Sequence, residues 1–405
     1  MKKIYLDYAA TTPLDKRVLR AMLPYFSEKF GNSMSLHGFG QEAKLALEKS
    51  REEVASLISA EPGEIIFTGS ATESNNLALK GVAFAAEASA KRKMRLISSP
   101  NKGKGKHIII SPIEHPCVAE SAEWLTKQGF SIDKLSVDKY GLVSPKDLEN
   151  KIRKDTILVS VIHASNEIGT IQPIKEIGRI CRKRGVLFHT DAVQSFGKIP
   201  IDVNSMNIDL LTASSHKMYG PKGVALLFVR KGVRIEPILH GGGQERGFRS
   251  STVNIPGIVG FAKACQIAKR EMKKEALKQI KLRDKLIKGV LGRIEDSHLN
   301  GHPSKRLPNN ANFWFDFVEG ESIIFQLDLK GIAVSTGSAC SSIKLEPSHI
   351  LTALGLKPAQ AHGSLRLSLG RWTKKSEIDY VLKVLPGIIK NLRDISPFKK
   401  HEKNR

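Results

Sequence analysis

The sequence predicts an α/β protein: a mainly parallel sheet flanked by helices in a large domain, with a smaller α+β domain. Three observations lead there. Short apolar runs recur at Ile65–Thr68, His107–Ser111, Thr156–His163, Val186–His189, Ile208–Leu211 and Val224–Val229, and a near-continuous apolar run marks a strand buried on both faces. Helical patterns separate many of them, the order that covers a parallel sheet on both sides. Polar residues collect where these runs end: His115, Asn166, Asp191, Gln194, Ser214, His216 and Lys217. Open parallel sheets bind ligands at that edge, so the row predicts one crevice.

A chain of 405 residues is long enough for two domains. We expect a large domain at 15–264 and a small one made of 1–14 and 265–405. The 41% hydrophobic and 26% charged composition is ordinary for a globular protein. No apolar run reaches the length of a membrane span. Asp7 interrupts what would be the apolar stretch of a signal peptide, so a cytoplasmic protein without a membrane partner is expected. The cysteines at 117, 181, 265 and 340 lie far apart, which argues against both a disulfide framework and a structural metal.

The net charge of +24 raises nucleic acid as a partner. Its distribution argues otherwise. Lys91–Lys106 carries seven basic residues and no acid, and reads as an exposed insertion. Lys263–Arg293 carries eleven, with Met272, Ala276, Ile280, Ile287, Leu291 and Ile294 at helical spacing; that is a helix with one solvated face. The tail from Lys399 to Arg405 is also basic. Without a recognition motif, no specific nucleic acid is expected, only weak binding at low salt.

In chain order, Ile4–Leu6 is a strand, and Asp15 caps a helix running to about Phe26. A loop holding Asn32 precedes a helix from about Gln41 to Ser59. Strand Ile65–Thr68 runs into Gly69-Ser70-Ala71-Thr72-Glu73-Ser74 and the helical pattern Asn75–Ala88. Backbone N–H groups at such a helix start suit a phosphate; the alternative is a helix capped by Thr72 or Ser74. His115 follows the third run, suited to stacking on an aromatic ligand or to a buried hydrogen bond.

Lys217 follows Ile208–Leu211 in the stretch LLTASSHKMYGPKG. Partial desolvation there makes an amine usable for Schiff-base chemistry; the alternative is a solvated turn lysine. A glycine-rich basic loop runs from His240 to Thr252. Beyond Cys265, Asn312–Phe317 and Ile332–Ser335 read as strands, and Ser322–Leu329, Pro347–Leu354 and Lys375–Leu392 as helices. Cys340 sits among small residues in STGSACSSIKLEP, where a free thiol is either reactive or inert. Arg366, in an alternating strand, suits a carboxylate or a structural ion pair.

A phosphate cradle, a strand-end lysine, a strand-end aspartate and a ring-stacking histidine together suit pyridoxal 5'-phosphate. Lys217 would tether it. Asp191 would keep its ring nitrogen protonated.

Many segments in one order carry a resemblance, among them LDYAATTP, FGNSMSLHGFG, ATESNN, EHPC, NEIGTIQPI, HTDAVQSFGK, SSHKMYGPKG, HGGGQERGFRSSTVN, STGSACSS and SLRLSLGRWT. The chain resembles cysteine desulfurases of the NifS/IscS type, in the class V aminotransferase superfamily of PLP-dependent enzymes with fold type I. The resemblance implies that Ala71, Thr72, Ser214 and His216 hold the cofactor phosphate. Thr252 would reach the phosphate of the other subunit of a homodimer. It further implies that His115 stacks on the ring and takes part in catalysis, that Asp191 pairs with the ring nitrogen, and that Gln194 contacts the ring hydroxyl. Asn166, also counted with the cofactor residues, would hold substrate with Asn32 and Arg366.

On this resemblance Lys217 is the Schiff-base lysine. Cys340 takes sulfur from L-cysteine as a persulfide, leaving L-alanine. The sulfur passes to an acceptor protein, an iron–sulfur scaffold or the acceptor of another thiolation; no metal is resident, though Cys340 is the residue to contact a nascent iron–sulfur cluster. The alternatives are a selenocysteine lyase or another β-eliminating or transaminating enzyme of the superfamily and, on charge alone, a non-enzymatic basic nucleic-acid-binding protein.

Overall fold

The computed structural model describes residues 3–91, 105–337 and 347–397. Cys340, most of the insertion expected at Lys91–Lys106 and the basic tail lie outside the described residues. Twelve strands are described: β1 (Ile4–Tyr5), β2 (Ile65–Thr68), β3 (His107–Ile110), β4 (Ser131–Lys134), β5 (Thr156–Ser160), β6 (Leu187–Asp191), β7 (Leu210–Ser214), β8 (Ala225–Val229), β9 (Ser297–Asn300), β10 (Asn310–Phe315), β11 (Ile332–Ala333) and β12 (Ser364–Ser368).

Seven of them form one sheet in the order β2-β8-β7-β6-β5-β3-β4. Only β8 runs antiparallel to its neighbours. The sheet is therefore mainly parallel, as expected, and the ends of β2, β3, β5, β6 and β7 share one edge. Side chains alternate between two apolar layers. Ile65, Phe67, Ile109, Val159, Phe188, Leu211 and Phe228 enter one; Ile66, Ile108, Ile110, Leu158, Leu187, Leu210 and Leu227 enter the other. Both faces are buried, which is why these strands read as continuous apolar runs. The edge strand β4 and the later β9 escaped sequence reading because they hold polar, partly exposed residues.

A second core gathers Leu6, Leu286, Phe313, Phe315, Ile323, Leu365, Leu367 and Leu385. Its sheet is β12-β10-β9, with Asn312 opposite Arg366. Strand β1 pairs parallel with β11, so the chain's start is built into this body.

Several expectations are corrected. The helix after Asp15 stops at Met22 and a short turn Pro24–Ser27 follows, because Pro24 has no N–H to continue it. Helix Gly38–Ser56 starts earlier than Gln41, at a cap made by His37. The basic helix spans Ile255–Leu291, about 55 Å of continuous axis. In its second half the buried stripe is Gln279, Leu282, Arg283, Leu286 and Val290, not Met272, Ala276, Ile280, Ile287 and Leu291. Arg283 is buried because its guanidinium donates to the Leu307 carbonyl at 2.8 Å, which no hydropathy pattern registers. Among the described residues no helix is long and apolar enough to cross a membrane.

The glycine-rich loop is pinned to the sheet by a buried ion pair. Arg51 holds Glu245 through both terminal nitrogens, at 2.8 and 2.9 Å. Glu245 also accepts the Phe67 N–H of β2 at 2.8 Å. Removing Arg51 leaves the buried Glu245 carboxylate without an ion-pair partner among the described residues, and removing Glu245 leaves the buried guanidinium only the exposed Glu48, at 3.2 Å. Glu245→Ala is expected to destabilise the protein by about 3–5 kcal/mol in chemical denaturation, with Arg51→Met, Glu245→Met together less damaging than either single change.

Candidate active site

At the end of β2 the chain turns through Gly69 and Ser70 into helix Ala71–Lys91. Ser70, not Thr72 or Ser74, caps this helix: its hydroxyl accepts the Glu73 N–H at 3.1 Å. Ser74 instead bonds Thr68 at 2.6 Å. Glu73 accepts the Gly69 N–H and pairs with Arg249, which steadies the turn from below. Ala71 is half-buried and Thr72 exposed at the start of the helix, where the first N–H groups have no partner within the helix.

Along the same edge, His115 caps helix Pro116–Thr126, its Nδ1 accepting the Cys117 N–H at 3.3 Å. That contact fixes the neutral ring with its proton on Nε2. Burial lowers the pKa of His115, with Lys217 adding to the effect and the Asp191 carboxylate opposing it. Asp191 closes β6. Its Oδ1 accepts the Val193 N–H at 2.9 Å and its Oδ2 accepts from Asn75 Nδ2 at 2.7 Å. Asn75 also meets Cys117 Sγ at 3.0 Å, and that sulfur lies 3.0 Å from His115 Nδ1. Burial pushes the Cys117 thiol up to about 12, so it stays protonated and links the two. A chain of contacts thus runs His115, Cys117, Asn75, Asp191.

Strand β7 runs further than Ile208–Leu211 suggested, through Ser214, which is buried. Lys217 then ends a single tight turn, Ser215–Lys217. The half-buried Lys217 donates from Nζ to the carbonyls of Ala9 and Ala10, both at 2.7 Å. His216 meets Thr11 Oγ1 at 3.1 Å through Nδ1, and burial followed by the Lys217 charge lowers its pKa to about 4. Gln194 Nε2 donates to the same Ala9 carbonyl at 3.0 Å.

From the second body, Arg366 on β12 donates to the carbonyls of Asn166 at 3.1 Å and Gly337 at 2.9 Å, and pairs with Asp7 at 2.9 Å. Its Nε and the Asn166 Oδ1 are buried and have no hydrogen-bond partner among the described residues. Next to them, Glu167 accepts the Ser348 hydroxyl at 2.6 Å, and a Cβ on Gly337 would lie 2.4 Å from the same carboxyl. The described residues on either side of 338–346 therefore both pack on Glu167.

Of the sequence-predicted residues, His115, Asp191, Gln194, His216 and Lys217 come together on one edge with Ser214 and the 69–71 turn. Asn166 and Arg366 join each other. Asn32 lies on an exposed loop and bonds only its neighbour Met34 through its side chain. Thr252 is exposed and lines a cleft of about 150 Å³ with Thr68, Gly69 and Arg249. Cys340 lies outside the described residues. Sequence reading missed Asn75, Asp7, Thr11 and the carbonyls of Ala9 and Ala10. Asn75 resembles any polar residue of an amphipathic helix, and a backbone carbonyl leaves no trace in residue type.

A profile of the class-V aminotransferase family matches residues 4–381. Cysteine desulfurase IscS of Dictyoglomus turgidum is 52% identical over 402 residues, covering 99% of this chain and 98% of its own. A solved structure described as a NifS-like protein superposes with a TM-score of 0.87 at 40% identity, over 96% of this chain and 100% of its own. Another, described as SspA in complex with cysteine, has a TM-score of 0.78 at 37% identity, over 92% of this chain and 100% of its own.

The fully buried Glu114, next to His115, carries a pH signature. Burial pushes its carboxyl from an ordinary 4.5 up to about 8, opposed by bonds from Ser111 and Ile162 and reinforced by Asp191. The folded protein keeps a proton that the unfolded chain releases, so stability falls as pH rises between those two values. Glu114→Gln, which keeps the accepting oxygen, is expected to flatten that slope in urea denaturation at about pH 5, 6.5 and 8; an unchanged slope removes the assignment.

Proposed function

We propose that this chain, which belongs to the class-V aminotransferase family, is a pyridoxal-phosphate-dependent cysteine desulfurase. It converts L-cysteine to L-alanine and carries the sulfur as a persulfide on Cys340. The observation that carries this reading is the convergence of Lys217, Asp191 and His115 on one sheet edge. The relatives named for this activity, and a neighbour held with cysteine, support it.

The residues present fit the cofactor. Lys217 offers a primary amine held at a set position by two carbonyls. Asp191 accepts two donors and retains lone pairs for a ring N–H. Gln194 uses one N–H on Ala9 and has a second for the ring hydroxyl. Ala71 and Thr72, at a helix start, suit the phosphate, with Ser214 and His216 beside the tethering lysine. When bound, the cofactor supplies an electron sink for charge developing at the substrate α-carbon.

The protein's own groups do the rest. Asp191 holds the proton on the ring nitrogen, and Asn75 holds Asp191. His115, neutral and half-buried, would offer its ring face to the cofactor ring. The Lys217 amine, when free, would remove the substrate α-proton and return a proton. Arg366 orients the substrate carboxylate through its Nε, aided by Asn166. The Cys340 thiolate attacks the substrate sulfur. A sulfur–sulfur bond forms, and the Cβ–sulfur bond breaks with its electrons left on the substrate, which takes up a proton and departs as L-alanine.

The protein works in the cytoplasm as a homodimer in which Thr252 serves the partner's phosphate site, a reading its exposure beside Thr68 and Gly69 supports. The sulfur goes to an acceptor protein, for iron–sulfur cluster assembly or another thiolation.

An absorption spectrum taken before and after L-cysteine, with alanine and persulfide quantified, tests the reading. Lys217→Ala is expected to lose the lysine-linked visible band and turnover. Cys340→Ser is expected to keep the band while losing persulfide, with sulfur release down about 100-fold or more; full-rate sulfur release from that variant overturns the role of Cys340. Arg366→Lys is expected to raise KM for cysteine about ten-fold or more, because a point charge cannot copy the guanidinium fork.

A further inference from the structure

Lys198 is a buried lysine that the chemistry above leaves without a task. Its residue is 8% exposed, and among the described residues it forms no ion pair. Nζ donates to the Gln194 carbonyl at 2.9 Å and to Gln194 Oε1 at 3.4 Å. A methionine would fill the same volume without desolvating an amine, so an unpaired buried lysine marks a position with a use for the charge.

The placement shows what that use is. Gln194 lies between Lys198 and Lys217. Its amide oxygen faces the Lys198 amine and its amide nitrogen faces the Ala9 carbonyl, which also accepts from Lys217. A reversed amide would set NH2 against the amine and oxygen against a carbonyl. Lys198 therefore allows one amide orientation only, the one that turns N–H groups toward Ala9 and the crevice. Gly197, at φ +71, lets this turn approach Met218, the neighbour of Lys217; a Cβ there would lie 2.8 Å from the Met218 methyl.

We propose that Lys198 is a positioning residue for the tethering lysine: it fixes the donor face of Gln194 and places a second amine behind Lys217. The proposal rests on the cofactor reading above. The titratable groups facing Lys198 are Lys217 and the neutral His216 from the turn after β7 and Glu275 from the long helix. Burial lowers the pKa of Lys198 to about 7, with Lys217 adding to the effect and Glu275 opposing it. Near neutrality its charge thus disfavours a second positive charge on the Lys217 nitrogen.

The test is a pH titration of the visible absorption of the purified holoenzyme, after borohydride trapping and peptide mapping establish cofactor on Lys217. If the wild-type protein traps none there, the cofactor reading fails and the inference falls with it; with cofactor trapped on Lys217, the variants below decide the inference alone. Lys198→Met is expected to move the absorption midpoint up by about one pH unit, a ten-fold change in the proton equilibrium. Lys198→Arg, which keeps a permanent charge, is expected not to move it up. Combined with Gln194→Leu, the Lys198→Met shift is expected to be less than additive, since the two act as one unit. A cofactor-loaded Lys198→Met protein with a wild-type midpoint, or strictly additive shifts, overturns the proposal. Should Lys198→Met fail to fold, pH-dependent amine labelling of the wild-type holoenzyme decides: half-reaction of Lys198 near neutrality supports it, and half-reaction near that of a surface lysine overturns it.

Discussion

Two backbone carbonyls, those of Ala9 and Ala10, hold the Lys217 amine, and the rest of the site is arranged around that contact. A partly desolvated amine needs acceptors, and here they come from the first residues of the chain. The same short segment pairs with β11 through Ile4 and Tyr5, supplies Asp7 to Arg366, and places Thr11 on His216. Thr12 accepts the Tyr219 N–H and donates to the His216 carbonyl. The segment thus fastens the smaller body to the lysine turn.

Burial, more than pairwise charge, sets the electrostatics of this edge. It keeps His115 and His216 neutral, Cys117 a thiol and Glu114 a protonated acid. A site rich in ionisable groups therefore carries few charges. Two of the charged groups are held by neutral partners: Asp191 by Asn75 and a backbone N–H, and the Arg366 guanidinium by backbone carbonyls as well as by Asp7. Such fixed dipoles need little rearrangement when a ligand arrives. Beside them, the Nε of Arg366 and the Oδ1 of Asn166 are buried with no hydrogen-bond partner among the described residues.

The basic surplus has a structural reading in part. Arg51 and Arg283 are buried against Glu245 and backbone carbonyls, and Arg371 joins Glu275 and Asp15 across the base of the lysine turn. These arginines are internal struts, so net charge overstates the cationic surface.

The parallel sheet, the row of polar residues at its edge and the identities of Lys217, Asp191 and His115 were all legible in the amino-acid order. Two-sided burial writes itself as runs such as Ile108-Ile109-Ile110, and strand ends are local in sequence. The helix break at Pro24 was equally local but was hidden by the apolar spacing around it. What was not legible arises where distant segments meet. Asn75 reaching Asp191, Glu245 inserted beside β2, and the carbonyls of Ala9 and Ala10 under Lys217 are contacts across 116, 178 and more than 200 residues. Residue type carries no record of such pairings, because a carbonyl or an amide side chain looks the same whether water or a buried cation is its partner. Composition and periodicity report how much surface each segment must bury; only the packed chain decides which polar groups are buried together.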